Sequence, residues 1–489
     1  MSTTTLSPHW HFDNSYATLP EGFFSPQPPV AVAAPQLVVL NHALAEQLGL
    51  DFSGSDTATL SAIFGGNTLP TGAKPIAQAY AGHQFGNFTM LGDGRAVLLG
   101  EHLTPRGQRF DIQLKGSGQT PYSRRGDGRA TLSAMLREYI ISEAMHHLGI
   151  RTSRSLAVAV TGERVYRERV QAGAVLTRVA SSHIRVGTFE YARQFLSDED
   201  LQTFTDYVIK RHYEGLQNTQ NAALELLRQV IHRQTDLVAD WLRVGFIHGV
   251  MNTDNMSIAG ETIDYGPCAF MNQYDPQTVF SSIDTYGRYA FGNQPKIAHW
   301  NLAVFAGTLL PLIDPDPEKA TQLAQEVVNT FPAIFKQKWL KMMAAKLGIA
   351  DVREEDRALI DSLLEWMQAY KADYTNTFWH LSTDHWTPTD HYATASFAEW
   401  HGQWQQRVAQ AEGGMAAAKK LMQTQNPAFI PRNHLVEEAL EQATRYDFAK
   451  FETLMQVLSN PYHYRPEYAS YQLPPPPQTD EMYQTFCGT

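Results

Sequence analysis

The stretch 245–266 concentrates polar residues that are suited to binding a metal ion and a phosphate. Asn255 and Asp264 lie a few residues apart in a segment that follows a long helical pattern. Both offer hard oxygen ligands, which Mg²⁺ prefers while it keeps waters and phosphate oxygens in the rest of its shell. Mn²⁺ accepts the same oxygen ligands, so the choice between the two metals stays open. The stretch therefore predicts a divalent-metal site that acts on a phosphate-bearing substrate such as ATP.

This stretch matches one part of the protein-kinase catalytic loop and departs from another. In the H-R-D-x-x-x-x-N pattern the Asp is the base, and a later D-F-G supplies a second metal ligand. Here His248 and Asn255 keep the kinase spacing, and Asp264 begins a D-x-G triplet. The base position is Val250, which cannot accept a proton, and a carboxylate stands at Asp254 instead. Either the protein is inert, or the accepting group approaches the nucleotide from another side. A polar loop whose Asx residues only form turns is the structural alternative.

A lysine and a glutamate form a second candidate pair. Lys115 ends the strand-like run 111–115, and Glu138 lies in the next helical pattern. Kinases use a strand lysine that contacts phosphates and pairs with a helix glutamate. A lone lysine at a strand end is ordinarily a solvated surface residue. Together with Glu138 and the Asn255–Asp264 loop, Lys115 is predicted to bind phosphate.

Glycine-rich turns and two arginines could complete a phosphate site. Glycine lets backbone amides approach phosphate oxygens, and arginine can clamp them with two hydrogen bonds. Ordinary turns and solvated arginines are the alternatives, and neither a P-loop nor a dinucleotide fingerprint occurs. The candidates are Gly92, Gly94 and Arg95 in one Gly-Asp-Gly-Arg turn, Asp127 and Gly128 in another, and Arg178 and Arg185.

The elements that must position these residues change in type along the chain. We predict a three-stranded antiparallel meander at 87–91, 95–101 and 109–115, a helix at 131–148, and strands at 156–161 and 174–179. Helical patterns then dominate, at 201–216, 222–244, 301–310, 317–347 and 357–370, with a hairpin-like interruption at 255–266. A sheet-rich part followed by a helical part is an α+β arrangement.

Composition narrows the class of protein. The 489 residues carry a formal net charge of −11, which argues against a nucleic-acid partner. Two cysteines exclude a disulfide framework. The first 20 residues lack the features of a secretory or mitochondrial signal, and no uninterrupted apolar run suggests a membrane span. We expect a cytoplasmic protein without a membrane or nucleic-acid partner.

The motifs together resemble the selenoprotein O (SelO) family of pseudokinase-like enzymes, which transfer AMP from ATP to protein hydroxyl groups. The resemblance spans nearly the whole chain, with several blocks in the same order. It rests on 82–86, 91–95, 113–118, 121–129, 177–187, 248–255, 263–266 and 426–437. For the last of these blocks the sequence suggests no physical role beyond a helix entry.

This resemblance implies a protein-kinase-like two-lobed fold with a small β-rich N-lobe, a large helical C-lobe and a C-terminal helical extension. The implied domains are an N-terminal extension at 1–82, a nucleotide-binding N-lobe at 83–190, a C-lobe with the catalytic and metal loops at 191–315, and the extension and tail at 316–489. The family holds its nucleotide flipped, with the α-phosphate exposed, which would explain Val250 at the base position.

The resemblance also implies roles for single residues. Asp254 is the expected proton acceptor, Asn255 and Asp264 are the expected metal ligands, and Glu138 supports Lys115. The implied ATP contacts are Gly92, Gly94, Arg95, Lys115, Asp127, Gly128, Arg178, Arg185 and Asp264. The acceptors would be Ser, Thr or Tyr hydroxyls of other proteins, and UMP transfer from UTP is left open. A γ-phosphate kinase and a nucleotide-binding scaffold without turnover are the alternatives.

The family further carries a redox residue near its C-terminus, and Cys487 fits that place. Cys268 lies two residues after Gly266 and is the candidate partner. The resemblance therefore suggests a regulatory Cys268–Cys487 pair. The alternative is one inert buried thiol and one loose tail thiol.

Overall fold

The computed structural model describes residues 9–167, 169–383 and 390–486. Strands concentrate in the first 180 of these residues, and helices dominate the rest. The expected α+β class is confirmed at this level, with a β-rich N-terminal sheet followed by a helical C-terminal part.

The main sheet is antiparallel and mixes strands from both ends of the N-terminal part. Its order is β1-β3-β6-β7-β10-β9-β2, with β8 paired to β10. Apolar and β-branched side chains favour the central strands, because these are buried on a pleated surface. The strands are β1 (Phe24–Pro26), β2 (Gln36–Leu40), β3 (Ile76–Gln78), β4 (Ala81–Gln84), β5 (Asn87–Met90), β6 (Ala96–Leu103), β7 (Arg109–Lys115), β8 (Ala130–Thr131), β9 (Arg154–Tyr166), β10 (Val170–Ala180), β11 (Phe246–Ile247) and β12 (Ala269–Phe270). Thus β1, β2 and β3, all from the first 82 residues, are part of the same sheet as β6 to β10.

The predicted meander is wrong in its first strand. β6 and β7 pair as expected, but β5 pairs with β4 in a separate two-stranded hairpin. Phe85 and Gly86 both have positive φ, at 50° and 88°, which permits a tight two-residue turn that folds β5 back onto β4. This turn pairs β5 with β4, the strand before it in the chain, so β5 is not part of the main sheet.

The helices follow the predicted patterns with two corrections. The stretch 317–347 forms two helices, because the chain turns at Asn329 and Thr330, and the helix at 201–216 already ends at His212. The helices are α1 (His42–Leu48), α2 (Thr57–Phe64), α3 (Leu132–His147), α4 (Val186–Phe195), α5 (Asp198–His212), α6 (Ala222–Val244), α7 (Gln294–Ile313), α8 (Pro317–Val328), α9 (Phe331–Lys346), α10 (Asp356–Ala369), α11 (Tyr374–Ser382), α12 (Ala395–Ala409), α13 (Gly414–Gln425), α14 (Asn433–Ala443), α15 (Ala449–Leu458) and α16 (Pro477–Glu481).

The expected hairpin at 255–266 is also wrong. A short 3-10 turn covers Thr253–Asn255, and the following residues make isolated bridges to distant partners. Ser257 pairs with Arg185, and Thr262 pairs with Thr152. The loop is therefore shaped by the sheet part on which it lies and has no ladder of its own.

One helical stretch in the described residues, Phe291–Ile313, has the length and apolar character that a membrane span requires. Half of its most apolar 18-residue stretch is buried inside the protein. The helix α7 within it packs against α4, α6 and α8. The central helix of a folded core has the same properties.

Candidate active site

Lys115 lies between two carboxylates at the end of β7. Its Nζ donates to Glu138 Oε2 at 2.6 Å and to Asp264 Oδ1 at 2.9 Å. Glu138 comes from the buried face of α3, and Asp264 comes from the loop after β11. Both predicted partners are thus brought to Lys115, which is itself buried. A buried lysine in this setting is fixed in place, and it could present its charge to a phosphate.

Arg178 contacts the same two carboxylates from the neighbouring strand β10. Its Nη1 donates to Asp264 Oδ1 at 2.7 Å and to Glu138 Oε1 at 3.3 Å. Its Nε donates to Gln113 Oε1 at 3.0 Å, and Gln113 Nε2 donates to Asp93 Oδ2 at 3.2 Å. Asp93 is buried, which raises its pKa to about 6. This chain of hydrogen bonds links Arg178 to the first Gly-Asp-Gly turn.

Asp264 therefore serves as the common anion of the cluster. Although burial by itself would raise the pKa of Asp264, Lys115, Arg178 and Arg185 hold it well below its usual value. Its φ is 60°, an unusual conformation for a residue with a side chain, and such strain often marks functional sites. Three cations and two carboxylates, Asp264 and Glu138, thus meet in this cluster, and the cations could bind an anionic ligand.

Arg185 lies at the start of α4 and is almost fully buried. Its Nη1 donates to the backbone oxygen of Asp254 at 3.1 Å and to Asp264 Oδ2 at 3.5 Å. Its guanidinium stacks 4.2 Å above the Tyr80 ring. Its Nη2 has no hydrogen-bond partner in the described part of the chain. A buried guanidinium nitrogen of this kind requires an acceptor, which a bound phosphate would supply.

Asp254 is the second buried group with an unmatched atom. No described residue contacts its Oδ1 through a hydrogen bond. Burial raises the pKa of Asp254 to about 6, and the nearby charge of Arg185 opposes that shift. The backbone of Gly82 lies so close that a Cβ there would approach Asp254 Oδ1 to 2.5 Å. Asp254 is thus held at the edge of the cluster with one free acceptor atom.

Asn255 and His248 are set by contacts within the loop. Asn255 Nδ2 donates to the Val250 carbonyl at 3.0 Å, which leaves its Oδ1 as the ligand atom. His248 Nε2 lies 3.0 Å from the Ile263 carbonyl, and its backbone N–H donates to Gln294 at 3.0 Å. The buried His248 therefore ties the Asn255 turn to the segment that carries Asp264. Its geometry is that of a structural residue.

Gly92 and Gly128 are required because other parts of the chain lie too close to their backbone to leave room for a side chain. A Cβ at Gly92 would collide with the Tyr122 ring, and one at Gly128 would collide with the backbone of Gly118. Gly118 N–H donates to the Gly128 carbonyl at 3.0 Å. The two Gly-Asp-Gly turns and the loop after β7 thus pack against each other. In the same region the Arg95 carbonyl accepts from Gly116 N–H at 2.7 Å, and Gly94 approaches the Tyr122 carbonyl.

Asp127 is not brought to the cation cluster by any described contact. Arg167 clamps its carboxylate with two hydrogen bonds of 2.8 Å, and this pairing lowers the pKa of Asp127 to about 2. Asp127 also accepts from the Arg129 N–H at 2.9 Å. Asp127 would therefore have to contact ATP from an exposed position, with its carboxylate already bound by Arg167.

Only one member of the candidate redox pair can be placed. Cys268 is fully buried, and burial raises the pKa of its thiol to about 11. Its carbonyl accepts from Arg137 Nη2 at 2.7 Å. Cys487 lies outside the described residues.

The block 426–437 has a physical role that the sequence did not reveal. Arg432 is buried and donates to Asn272 Oδ1 at 2.6 Å and to Asp373 Oδ2 at 2.7 Å. The next residue, Asn433, both donates to the Phe270 carbonyl at 2.9 Å and accepts from the Phe270 N–H at 3.1 Å. The block thus holds the segment that follows Asp264. Its polar residues at a helix start were the available signal, but Asn272 and Phe270 lie 160 and 163 residues away in the chain, and Asp373 lies 59 away.

The protein side chains alone do not complete a metal site, so phosphate oxygens would have to supply further ligands. Among the residues that the structure describes, no group of three or more His, Cys, Asp or Glu side chains could hold a metal ion by itself. Asp264 nevertheless offers an oxygen beside Arg185, and Asn255 follows Asp254, whose backbone oxygen accepts from the same arginine. Mg²⁺ commonly uses one or two protein oxygens together with substrate phosphates, so the residues present fit a metal–nucleotide pair.

An apolar cavity is formed by residues other than those of this cluster. It measures about 330 Å³ and is lined largely by apolar side chains from the helical part, among them Phe291, Phe335 and Trp339. None of the predicted site residues lines it. The chemistry therefore points to the Lys115–Asp264 cluster as the candidate active site.

Comparisons with known proteins agree with this geometry. The family model described as protein adenylyltransferase SelO matches residues 8–459. A protein nucleotidyltransferase YdiU from Nitrosococcus oceani is 55 % identical over 494 residues, which cover 100 % of both chains. A protein of the same name from Geobacillus kaustophilus is 58 % identical over 482 residues, covering 98 % of this chain and 99 % of that protein. A third, from Bacillus cytotoxicus, is 56 % identical over 481 residues, with 98 % of each chain covered.

Proposed function

Because this chain belongs to the family of protein adenylyltransferase SelO, we propose that it transfers AMP from ATP to Ser, Thr or Tyr hydroxyls of target proteins. The observation that carries this proposal is the position of Asp254. Its buried Oδ1 lacks a described partner beside a cluster of three cations, whereas the kinase base position is Val250. The same reaction with UTP would transfer UMP.

We infer a protein-kinase-like arrangement of two lobes around this site. Strands β6 to β10 together with α3 would form the N-lobe at 83–190, and α6, α7 and the loops between them would form the C-lobe at 191–315. Residues 1–82 would extend the N-lobe, and residues 316–489 would form the helical extension and tail. The pairing of Lys115 with Glu138 across β7 and α3 supports this reading, because kinases use the same pair. We place the protein in the cytoplasm.

The cations would bind the phosphate chain of ATP. Lys115, Arg178 and Arg185 would each exchange part of their contact with Asp264 for phosphate oxygens. Arg185 Nη2, which has no hydrogen-bond partner among the described residues, would bind a phosphate oxygen without giving up a contact. Such fixed charges stabilise the negative charge that develops at the reacting phosphorus. The two glycine turns would support the nucleotide through Gly92, Gly94, Arg95, Asp127 and Gly128.

Asn255 and Asp264 would hold Mg²⁺ or Mn²⁺. When bound, the metal would neutralise phosphate charge and polarise the bonds at phosphorus. Asp264 is suited to this role because its pKa is well below its usual value, so its carboxylate is charged throughout the physiological range.

The acceptor hydroxyl would approach from the side of Asp254. The hydroxyl oxygen forms a bond to the α-phosphorus, and the bond from that phosphorus to the bridging oxygen of pyrophosphate breaks. The Asp254 carboxylate orients the hydroxyl and takes its proton, a contribution of roughly 10²–10⁴-fold. The products are an AMP–protein phosphodiester and pyrophosphate.

ATP labelled separately at the α- and γ-phosphates distinguishes this function from its alternatives. Transfer of the α-label to protein supports the proposal, and transfer of the γ-label supports a kinase. A scaffold without turnover would be stabilised by ATP against heat and would transfer neither label. Mass mapping then identifies the modified hydroxyl, and an Asp254→Asn variant should lose the α-label transfer.

A further inference from the structure

The β4–β5 hairpin is fixed against the loop that carries the proposed base. The His83 N–H donates to Thr253 Oγ1 at 2.7 Å, directly before Asp254. The Phe85 N–H donates to Asn252 Oδ1 at 3.1 Å. Two backbone donors of the hairpin thus bind side chains of the catalytic loop, so any group bound on the hairpin is held at a set distance from Asp254.

The turn of the hairpin carries strain that these contacts offset. A bulky residue at positive φ costs roughly 1–3 kcal/mol, and Phe85 has a φ of 50°. Its N–H is held by Asn252, and its ring lies 5.1 Å from the Tyr289 ring. Tyr289 in turn donates to Asn252 Oδ1 at 2.5 Å. The hairpin is therefore held in its present position by the site itself.

The outer strand of the hairpin has a free edge. In the described sheets β5 pairs with β4 only. The Leu91 N–H donates to the Tyr80 carbonyl at 3.0 Å, and hydrogen-bonded pairs alternate along an antiparallel ladder. The inward-bonded residues of β5 are consequently its odd-numbered ones. The N–H and C=O groups of Phe88 and Met90 point outward, which is the arrangement that accepts an added strand.

The same two residues present apolar side chains to solvent. Phe88 and Met90 are 44 % and 49 % exposed, and they share one face because they are two residues apart in a strand. Phe195 at the end of α4 is 47 % exposed, and its ring lies 6.3 Å from that of Phe88. We call Phe88, Met90 and Phe195 the hairpin surface. Adjoining exposed apolar side chains of this kind mark sites of protein binding.

We propose that the hairpin surface binds the extended segment of the target protein that carries the accepting hydroxyl, an inference that rests on the proposed function. The segment adds to the free edge of β5 through its backbone, and such hydrogen bonds do not depend on the side chains of the segment. It places an aliphatic or aromatic side chain against Phe88 and Phe195, which gives a preference among targets. The occupant is an unfolded or loop segment, because only extended backbone can satisfy the outward groups of Phe88 and Met90.

Two synthetic peptides with a single tyrosine test this inference. One carries Val and Leu at alternate positions beside the tyrosine, and the other carries Ser and Asn at those positions. With ATP labelled at the α-phosphate, we expect about tenfold higher kcat/KM for the apolar peptide, mainly through a lower KM. Tenfold corresponds to about 1.4 kcal/mol of binding free energy, which partial burial of two such side chains can supply. The double variant Phe88→Ser/Met90→Ser should lose this preference.

Controls separate docking from damage to the site. In the double variant the thermal stabilisation by ATP should equal that of the parent chain. Val170→Ser is the matched control, because Val170 is 53 % exposed in the strand β10 of the main sheet and should leave the preference unchanged.

Several outcomes would overturn the docking inference. These are equal rates on the two peptides, a preference that survives in the double variant, or labelling of proteins in a cell extract while neither peptide is labelled. Sedimentation that shows a dimer in the parent chain and a monomer in the double variant would assign the surface to a second copy of this chain. Absence of α-label from every peptide and protein would instead contradict the proposed function itself.

Discussion

The carboxylate of Asp254 lies directly against the backbone of Gly82, where a Cβ atom would come within 2.5 Å of Oδ1. This contact joins the hairpin to the proposed base, although the two residues are far apart in the sequence. It also explains why a glycine is required between two strand residues. The position of Asp254 therefore depends on the lack of a side chain at Gly82 in β4.

The variant Gly82→Ala should lower nucleotidyl transfer strongly without unfolding the protein. The new methyl group must displace either the hairpin or Asp254, and misplacement by about 1 Å can cost on the order of 10²-fold. Transfer of α-label to protein measures the loss. Gly307→Ala is the control, since Gly307 has open space around its Cβ position and the change in α7 should raise helix stability by up to about 1 kcal/mol. Full activity of Gly82→Ala would refute the packing argument.

Loss of either metal ligand should be worse than loss of one arginine. Asp264→Ala removes a proposed metal ligand and leaves Lys115 and Arg178 with only one of their two shared carboxylates, Glu138. We expect Asp264→Ala and Asn255→Ala to lower turnover by about 10²-fold or more, and Arg185→Ala by less. Turnover of the three variants at saturating ATP is the measurement. Arg445→Ala, which removes an exposed ion pair with Glu441, should have no effect. The ranking is wrong if the Arg185 variant is the least active of the three.

The buried His212 should make the protein less stable in acid. Burial lowers the pKa of His212 to about 3, against about 6.5 in an unfolded chain. Between these values the unfolded chain binds a proton that the folded chain does not, so the free energy of unfolding falls as pH falls from about 6.5 to 3. The contribution is about 1.4 kcal/mol per pH unit.

Denaturant unfolding of the parent chain and of His212→Gln, from pH 7 to pH 4, measures this contribution. The difference between the two must be used, because the buried carboxyls act in the opposite direction. Burial raises the pKa of Asp93 to about 6 and that of Glu261 to about 7, so both stabilise the folded state as pH falls. Parallel curves for parent and variant would show that His212 does not contribute.

The thiol of Cys268 should be inert in the folded protein. It is fully buried, and burial raises its pKa to about 11, so little reactive thiolate exists at neutral pH. A Cys487→Ser variant leaves Cys268 as the one thiol of the chain. Iodoacetamide at pH 7.5 should modify it only after denaturant is added, as followed by mass spectrometry. Rapid alkylation of the native variant would contradict this prediction.

The Cys268–Cys487 bridge that the family resemblance suggests is disfavoured by the burial of Cys268, and it has its own test. The bridge would remove two hydrogens from the chain, so intact mass should differ between oxidising and reducing conditions. Identical mass and mobility under both conditions would exclude it.

The sequence by itself determined the elements whose signals are local. The strand that ends at Lys115 and the helix that carries Glu138 were predicted within about one residue, because strand alternation and helical spacing depend on neighbouring residues. The order of the motifs also sufficed to identify the family. The substitution of Val250 at the kinase base position was likewise visible from spacing alone.

Only the tertiary structure decided which distant groups meet. Strand pairing moved β5 from the main sheet to the hairpin, because the Phe85–Gly86 turn folds β5 onto β4 and contacts with the distant Asn252 and Thr253 hold the hairpin in place. Tyr80 stacks on Arg185, and Arg432 holds Asn272, across about 105 and 160 residues of chain. Such contacts depend on the packed fold, which also brings Asp254 and Arg185 together and buries Asp254 Oδ1 and Arg185 Nη2 without a hydrogen-bond partner among the described residues.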